Sequence, residues 1–507
     1  MTKPHHAHKP APLLRPLLGV ICFIAGAAMM IIEISANRLL APVFGNSLYT
    51  WTALIGVILI AFSVGGFLGG YLADKIGKTR VLGQLLAGAA VLTMLIPALN
   101  SALASSLANA GVISGPVFIS LFLFALPGVL LGAISPASVR FYSMADEDHH
   151  VGSAAGIISM LGSLGSFVGT FLSGFVLLAA FSVKTIFLGT GIVLLTLAIM
   201  AFWLARQLPR THAKAVGIGA IAFFIGWSTE QKMDASVIHQ QDSFYHYITV
   251  SENAGQRHLA LDSTSEGGMT WPGGDLIIPY QRHWRLAQLN ENLKLHRALF
   301  IGAGAFGMPE AVAKLDKDVK VDVVEIDPAV IETGRRFFKL DEFPNIQAHA
   351  SDARRFLKST EQTYDLIFGD AYNGIRHIPS HLVTREFFSE VKSKLTNDGA
   401  FLMNVISSVE GPHAELLGSI ISTLQAVFPN VEVFAVGGPR YEAQNVILLC
   451  TNTSWKNWLE DRFYLPNSWQ AELASTRVPT AQWPEVRAVF TDDWNPVDAV
   501  IARQLLK

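Results

Sequence analysis

Six long apolar runs crowd into the first 230 residues, and they limit what this chain can become more than any other feature. They cover residues 17–36, 54–73, 81–103, 112–134, 154–181 and 185–205. Each reaches about the 20 residues that an α-helix needs to cross a bilayer. An ordinary surface helix is apolar along one stripe only, so a soluble bundle could not bury six such runs in so short a stretch. They predict a polytopic membrane domain over 1–230. The first run is too long for a signal peptide, has no cleavage site, and carries Glu33 with Arg38 close behind. A seventh run, 215–228, is short and reads as a half-span or an interfacial helix. Lys3, Lys9 and Arg15 precede the first run; Lys75, Lys78 and Arg80 follow the second; Arg206, Arg210 and Lys214 follow the sixth. By the positive-inside rule the N-terminus is cytoplasmic, in the cell (inner) membrane.

Glycine and serine recur inside the runs, as in 63–70 and 162–166. Small residues let helix backbones approach where lipid offers no hydrophobic drive, so these stripes predict packing seams. Glu33 is the clearest charge within a run. An intramembrane carboxylate marks a functional site by default, and a structural pairing with Arg38 is the other reading. Residues 70–80, Gly-Tyr-Leu-Ala-Asp-Lys-Ile-Gly-Lys-Thr-Arg, resemble the loop motif after the second span of major facilitator transporters.

After a linker at 229–241 the texture changes. From Asp242 polar residues return, and short apolar runs alternate with amphipathic stretches over 242–507. That alternation predicts strands interleaved with helices, an α/β domain on a parallel sheet of about seven strands. The whole chain is 15% charged with a net charge of −2, which gives no footing for a nucleic-acid partner. The two cysteines, Cys22 and Cys450, are too few and too far apart for a disulfide framework. The clustered histidines, His5, His6 and His8 in the N-terminal tail and His149 and His150 in a loop, lack a plausible carboxylate or cysteine set for a metal site.

The chemistry concentrates where one strand, 297–302, enters a glycine turn, Gly302-Ala-Gly304-Ala-Phe-Gly307, and a helix opened by Pro309 and Glu310. Glycines there allow a tight turn and close approach of a ligand. The next strand, 321–327, carries Glu325 about 20 residues on, where an acid accepts hydrogen bonds from ribose hydroxyls. Two further strands end at Asp352 and Asp370. Ligands bind at the carboxyl ends of such strands, so Glu325, Asp352 and Asp370 are expected in one crevice.

In this series the sequence resembles the spermidine synthase-like aminopropyltransferases, in the membrane-fused form found in bacteria. The resemblance runs through 243–248 and 259–262, which look like the family's N-terminal β-hairpin. It continues through the glycine turn, Val324-Glu-Ile-Asp327, Ser351-Asp-Ala353 and Tyr364-Asp-Leu-Ile-Phe-Gly-Asp370. The 490–497 segment, Phe-Thr-Asp-Asp-Trp-Asn-Pro-Val, and the Glu33 to Arg38 segment look like signatures of the fused members. The resemblance implies a Rossmann-like domain of the S-adenosylmethionine-dependent type. Gly302, Gly304, Glu325, Asp352 and Ala353 would hold the nucleoside, and Asp370 with Tyr245 would be catalytic. Tyr280, Glu266, Asn373 and His246 would line the substrate crevice. Four positions depart from the family pattern: Ala305 and Asn373 stand where it has aspartates, and His246 and Glu266 where it has glutamines.

The activity so implied moves an aminopropyl group from decarboxylated S-adenosylmethionine, or a group from S-adenosylmethionine, to a diamine such as putrescine. No cofactor is held permanently. The expected partners are a small amine and the lipid bilayer, and a homodimer is open to it. A methyltransferase, and a transporter or sensor with a nucleoside-binding domain, are the alternatives. Six crossings leave the α/β domain in the cytoplasm, where the adenosyl donor is made, and that side is favoured; a seventh would place it outside.

Overall fold

The structure is a computed structural model that describes every residue except 1–13, 45–47, 109, 112–113, 146–149, 206–208, 229–234, 263, 291, 373–377, 455–468, 486 and 506–507. The chain divides into two compact units, Met1–Met233 and Asp234–Lys507.

The first unit is all helix. Its elements are α1 (Leu14–Phe44), α2 (Leu48–Ile76), α3 (Arg80–Ala108), α4 (Ser114–Gly132), α5 (Ile134–Met144), α6 (Val151–Leu172), α7 (Leu178–Ala180), α8 (Val183–Leu204) and α9 (Pro209–Ser228). A π-helical turn, Ser173–Leu177, joins α6 to α7. By length and composition, six helical stretches among the described residues could cross a membrane: Leu14–Phe44, Tyr49–Ile76, Arg80–Ala104, Ser114–Met144, Val151–Ala180 and Val183–Trp203.

The small-residue stripes are packing seams, because backbones meet there. A Cβ on Gly65 would lie 2.2 Å from the Val129 carbonyl oxygen, sealing α2 against α4, and one on Gly165 would lie 1.8 Å from the Phe23 oxygen, sealing α6 against α1. The transporter-like motif supplies an ion pair: Asp74, near the end of α2, meets the Arg140 Nε of α5 at 2.8 Å.

The seventh run, expected as a half-span or an interfacial helix, is not among those six stretches. It is the inner part of the 20-residue helix α9, about 30 Å long at 1.5 Å per residue. This helix returns antiparallel along the whole of α8. His212 packs its ring on Phe202, 6.2 Å between centroids. Gly219 sits against Leu195, and the Lys184 ammonium donates to the Trp227 carbonyl at 2.5 Å. The first two turns, with the basic Arg210 and Lys214, complete a helix whose apolar part alone looked too short.

The second unit opens with a four-stranded antiparallel meander in the order β1 (Val237–Asp242), β2 (Tyr247–Asn253), β3 (Gln256–Leu261), β4 (Thr264–Thr270). It is larger than a hairpin, and β1 begins inside the stretch read as linker. A 3-10 helix, Pro279–Leu289, leads to the main sheet. Its strands are β5 (Arg297–Ile301), β6 (Lys320–Glu325), β7 (Ile346–Ala350), β8 (Tyr364–Gly369), β9 (Leu395–Ser407), β10 (Asn430–Val436), β11 (Gln444–Thr451) and β12 (Arg477–Val478). Intervening helices are α10 (Gly307–Ala313), α11 (Pro328–Phe337), α12 (Ala353–Ser359), α13 (Arg385–Ser393) and α14 (Glu415–Gln425).

The spatial order is β12-β10-β11-β9-β8-β5-β6-β7. The expected parallel sheet is therefore mixed. Strands β5 to β9 pair in parallel, whereas β11 is antiparallel to β9 and to β10. The short loop between β10 and β11 can only make a hairpin, since a parallel return needs a dozen or more residues. The parallel strands read as unbroken apolar runs because both sheet faces are covered. In β5, Ala298 and Phe300 enter one core while Leu299 and Ile301 enter the other. Strand order reverses between β5 and β8, the switch point where such sheets open a crevice.

Candidate active site

The crevice forms at the carboxyl ends of β5, β6, β7 and β8. Gly302, with φ at +92°, turns the chain out of β5, and a Cβ there would lie 2.3 Å from the Asp370 carbonyl oxygen. Gly304, with φ at +48°, faces the meander, where a Cβ would come 2.6 Å from the Glu266 oxygen. Both positions need glycine for conformation and for space. The resulting cleft encloses about 900 Å³, open to solvent.

Its lining brings together Tyr245, His246, Glu266, Gly302, Gly304, Glu325, Asp352, Ala353 and Asp370. Ile301, Val324, Ile326 and Leu382 give it an apolar wall. Asn373 lies outside the described residues. Tyr280 is buried, and its hydroxyl donates to Asp370 Oδ2 at 2.7 Å, so it stands behind the catalytic candidate.

Glu325 is fixed by its own backbone surroundings. Its two oxygens accept from the Ala303 and Asp327 amides, each at 3.0 Å. Burial raises its pKa against the pull of those amides. Asp352 plays the simple structural part as well as lining the cleft. It caps α12, accepting from the Arg355 amide at 2.9 Å, while Oδ2 meets His381 Nε2 at 2.8 Å. Burial pushes its carboxyl up, but the amide and the histidine outweigh that and hold it below the usual range.

Asp370 ends β8. Tyr280 holds one oxygen and the Asn404 Nδ2 donates to the other at 2.8 Å. Burial pushes it up to about 6, against the lowering effect of both donors. Tyr280 thus bonds Asp370 directly, while Tyr245, expected to assist it, lines the same cleft.

Asn404 escaped the sequence reading. It sits in the apolar strand β9, and its Oδ1 accepts from Asn445 on β11 at 3.1 Å. A lone asparagine in Phe-Leu-Met-Asn-Val-Ile was the available signal. Asp262 was also missed: with φ at +54° it accepts from the Tyr247 amide at 3.0 Å and meets His246 Nδ1 at 3.1 Å. Ser243 ties the meander to the main sheet through a hydrogen bond to Asp327.

A carboxyl-lined cleft beside an apolar nucleoside-sized wall suits a ligand that is cationic at one end. Comparison with known proteins agrees. The spermine/spermidine synthase domain model matches residues 283–459. A polyamine aminopropyltransferase of Vibrio vulnificus is 33% identical over 304 residues, 54% of this chain and 93% of the relative.

The chain belongs to the polyamine aminopropyltransferase family.

Polyamine aminopropyltransferase 2 of Aquifex aeolicus is 25% identical over 416 residues, covering 76% of this aminopropyltransferase and 78% of the relative. That span exceeds the second unit, so it includes helices of the first. The Major Facilitator Superfamily model matches residues 17–308, which takes in the helical unit and makes it transporter-like in sequence. Among solved structures, a probable spermidine synthase from Corynebacterium glutamicum aligns with a TM-score of 0.40 at 18% identity, covering 52% of this chain and 99% of that one.

Proposed function

We propose that the second unit transfers an aminopropyl group from decarboxylated S-adenosylmethionine to a small amine such as putrescine, and that the helical unit anchors it in the cell membrane. Asp370 carries this reading. It is a carboxyl at the switch point of the sheet, held by two donors and raised to about 6, a value suited to accepting a proton near neutral pH.

Glu325 would hold the ribose hydroxyls, and Asp352, Ala353 and Ile326 would border the adenine. The acceptor amine loses a proton to Asp370 and attacks the aminopropyl carbon bound to sulfur. The new C–N bond forms as the C–S bond breaks, and its electron pair leaves with sulfur as a neutral thioether. The protein supplies position and a proton acceptor. Tyr280 and Asn404 fix the Asp370 carboxyl, while Tyr245 lines the cleft on the acceptor's path.

The test is to incubate the purified full chain with each sulfonium donor and a panel of diamines. Methylthioadenosine released in step with a new polyamine supports the reading. Adenosylhomocysteine as the product would replace it with methyl transfer.

A further inference from the structure

The carboxyls around the cleft differ in how they are committed. Glu325 is spent on two backbone amides, Asp352 on the Arg355 amide and His381, Asp262 on the Tyr247 amide and His246, and Asp370 on Asn404 and Tyr280. Glu266 makes no hydrogen bond or ion pair among the described residues, although it lines the same cleft. No lysine or arginine borders the cleft among the described residues.

The place of Glu266 is set by β4 lying directly on the glycine turn. A Cβ on Gly267 would be 2.8 Å from the Ala305 amide nitrogen and 3.0 Å from the Ala305 Cβ. Ala305 is therefore packed shut, and residues 302–307 carry no charged side chain of their own. Glu325 already accepts from the turn's Ala303 amide, so the further carboxyl brought to the turn is Glu266, from the strand whose backbone packs on it. Burial first, then the charges of Asp370, Glu325 and Asp262, hold the Glu266 carboxyl well above its usual range. An arriving cation would reverse that balance and draw it into the ionised form.

We propose that Glu266 receives the ammonium of the donor's aminopropyl chain and so selects a decarboxylated sulfonium donor over one that still bears a carboxylate. The argument rests on the adenosyl-donor reading of the cleft. A donor seated with its ribose at Glu325 and its reacting carbon towards Asp370 runs its side chain past the glycine turn, beneath Glu266. A carboxylate on that chain would meet Glu266 and Asp370 as like charges, whereas an ammonium alone satisfies the one uncommitted carboxyl.

The test compares binding of methylthioadenosine, decarboxylated S-adenosylmethionine and S-adenosylmethionine to the full chain, as wild type, Glu266→Gln and Glu266→Asp, by calorimetry. Wild type should prefer the decarboxylated donor. Glu266→Gln should weaken that donor by about tenfold or more, the worth of a charge-assisted contact. Its affinity for methylthioadenosine, which has no ammonium, should stay within about twofold by the same reasoning and also shows that the variant is folded. Glu266→Asp should retain part of the preference. Unchanged donor affinity in Glu266→Gln, with methylthioadenosine still bound, overturns the assignment. Failure of wild type to bind methylthioadenosine instead overturns the adenosyl reading itself.

Discussion

Replacing Asp370 by asparagine should slow the reaction and stabilise the protein at once. The side chain is nearly isosteric: its oxygen can still accept from Asn404 and its amide can donate to the Tyr280 oxygen. What it loses is a proton acceptor. The native carboxyl is raised from 3.8 to about 6, which corresponds to at most about 3 kcal/mol, since cleft water screens part of it. For a pKa raised on folding, the stabilising contribution is complete below the unfolded value of 3.8 and is lost as pH rises through about 6. Wild type and Asp370→Asn should therefore melt alike near pH 4, and the variant should melt several degrees higher at pH 8, given ~2–4 °C per kcal/mol for a domain of this size. Turnover should fall by about 10²–10⁴-fold, the usual worth of a positioned base. Wild-type kcat/KM should rise with pH through about 6. The assays are thermal unfolding of the detergent-purified full chain across pH and methylthioadenosine release. A variant that melts no higher than wild type at pH 8, or that keeps activity within about tenfold, refutes the reasoning.

Glu310 is 1% exposed, its oxygens have no hydrogen-bond partner among the described residues, and burial pushes it up to about 8. Its stabilising contribution is complete below 4.5 and lost as pH rises through about 8, so Glu310→Gln should flatten the fall in melting temperature between about pH 5 and 8, and an unchanged fall contradicts this. Arg354 joins Glu390 at 2.9 Å to Asp492 at 2.7 Å, clamping the C-terminal segment to α12 and α13. Because Asp492 is 42% exposed, Asp492→Asn should cost only about 0.5–1 kcal/mol at neutral pH, and a melting shift well beyond that would show a larger structural part. Because α9 pairs with α8 from end to end, it should act as a seventh crossing and carry the C-terminus to the side opposite the N-terminus. Alkaline phosphatase fused after Lys507 should then be active, and the sulfonium donor would have to reach that side; activity only from a cytosolic reporter would confine α9 to the membrane surface.

The apolar runs were legible because a lipid span must be continuous in sequence, and the strand ends because a parallel sheet gathers its carboxyl termini at one rim. Glu325, Asp352 and Asp370 follow from that rule without any side-chain knowledge. The extent of α9 was hidden because its first two turns are basic, and hydropathy counts Arg210 and Lys214 against a helix they belong to. Asn404 and Asn445 were hidden for another reason. They reach Asp370 only through the neighbour relations of β8, β9 and β11, and the antiparallel placing of β11 is not written in β9. The bond of Tyr280 to Asp370 likewise depends on how the 3-10 helix, Pro279–Leu289, packs under the sheet, and periodicity does not fix that.

The cleft is costly to assemble, and the cost has a direction. Glu266, Glu325 and Asp370 are all raised by burial, and Glu266 further by its acidic neighbours. Empty, the site favours their protonated forms; a cation favours the ionised ones. Binding of a sulfonium that also bears an ammonium should therefore release protons from an acidic site, while neutral methylthioadenosine should release none. Ligand stabilisation follows RT ln(1 + [L]/Kd), so the melting shift given by the dication should grow from about pH 5 to 8 relative to that of methylthioadenosine at equal concentration. Calorimetry in buffers of different ionisation enthalpy reads the proton count directly. A shift that is equal for the two ligands at every pH would mean that the carboxyls are there to hold the fold, and that the cleft does not recognise charge.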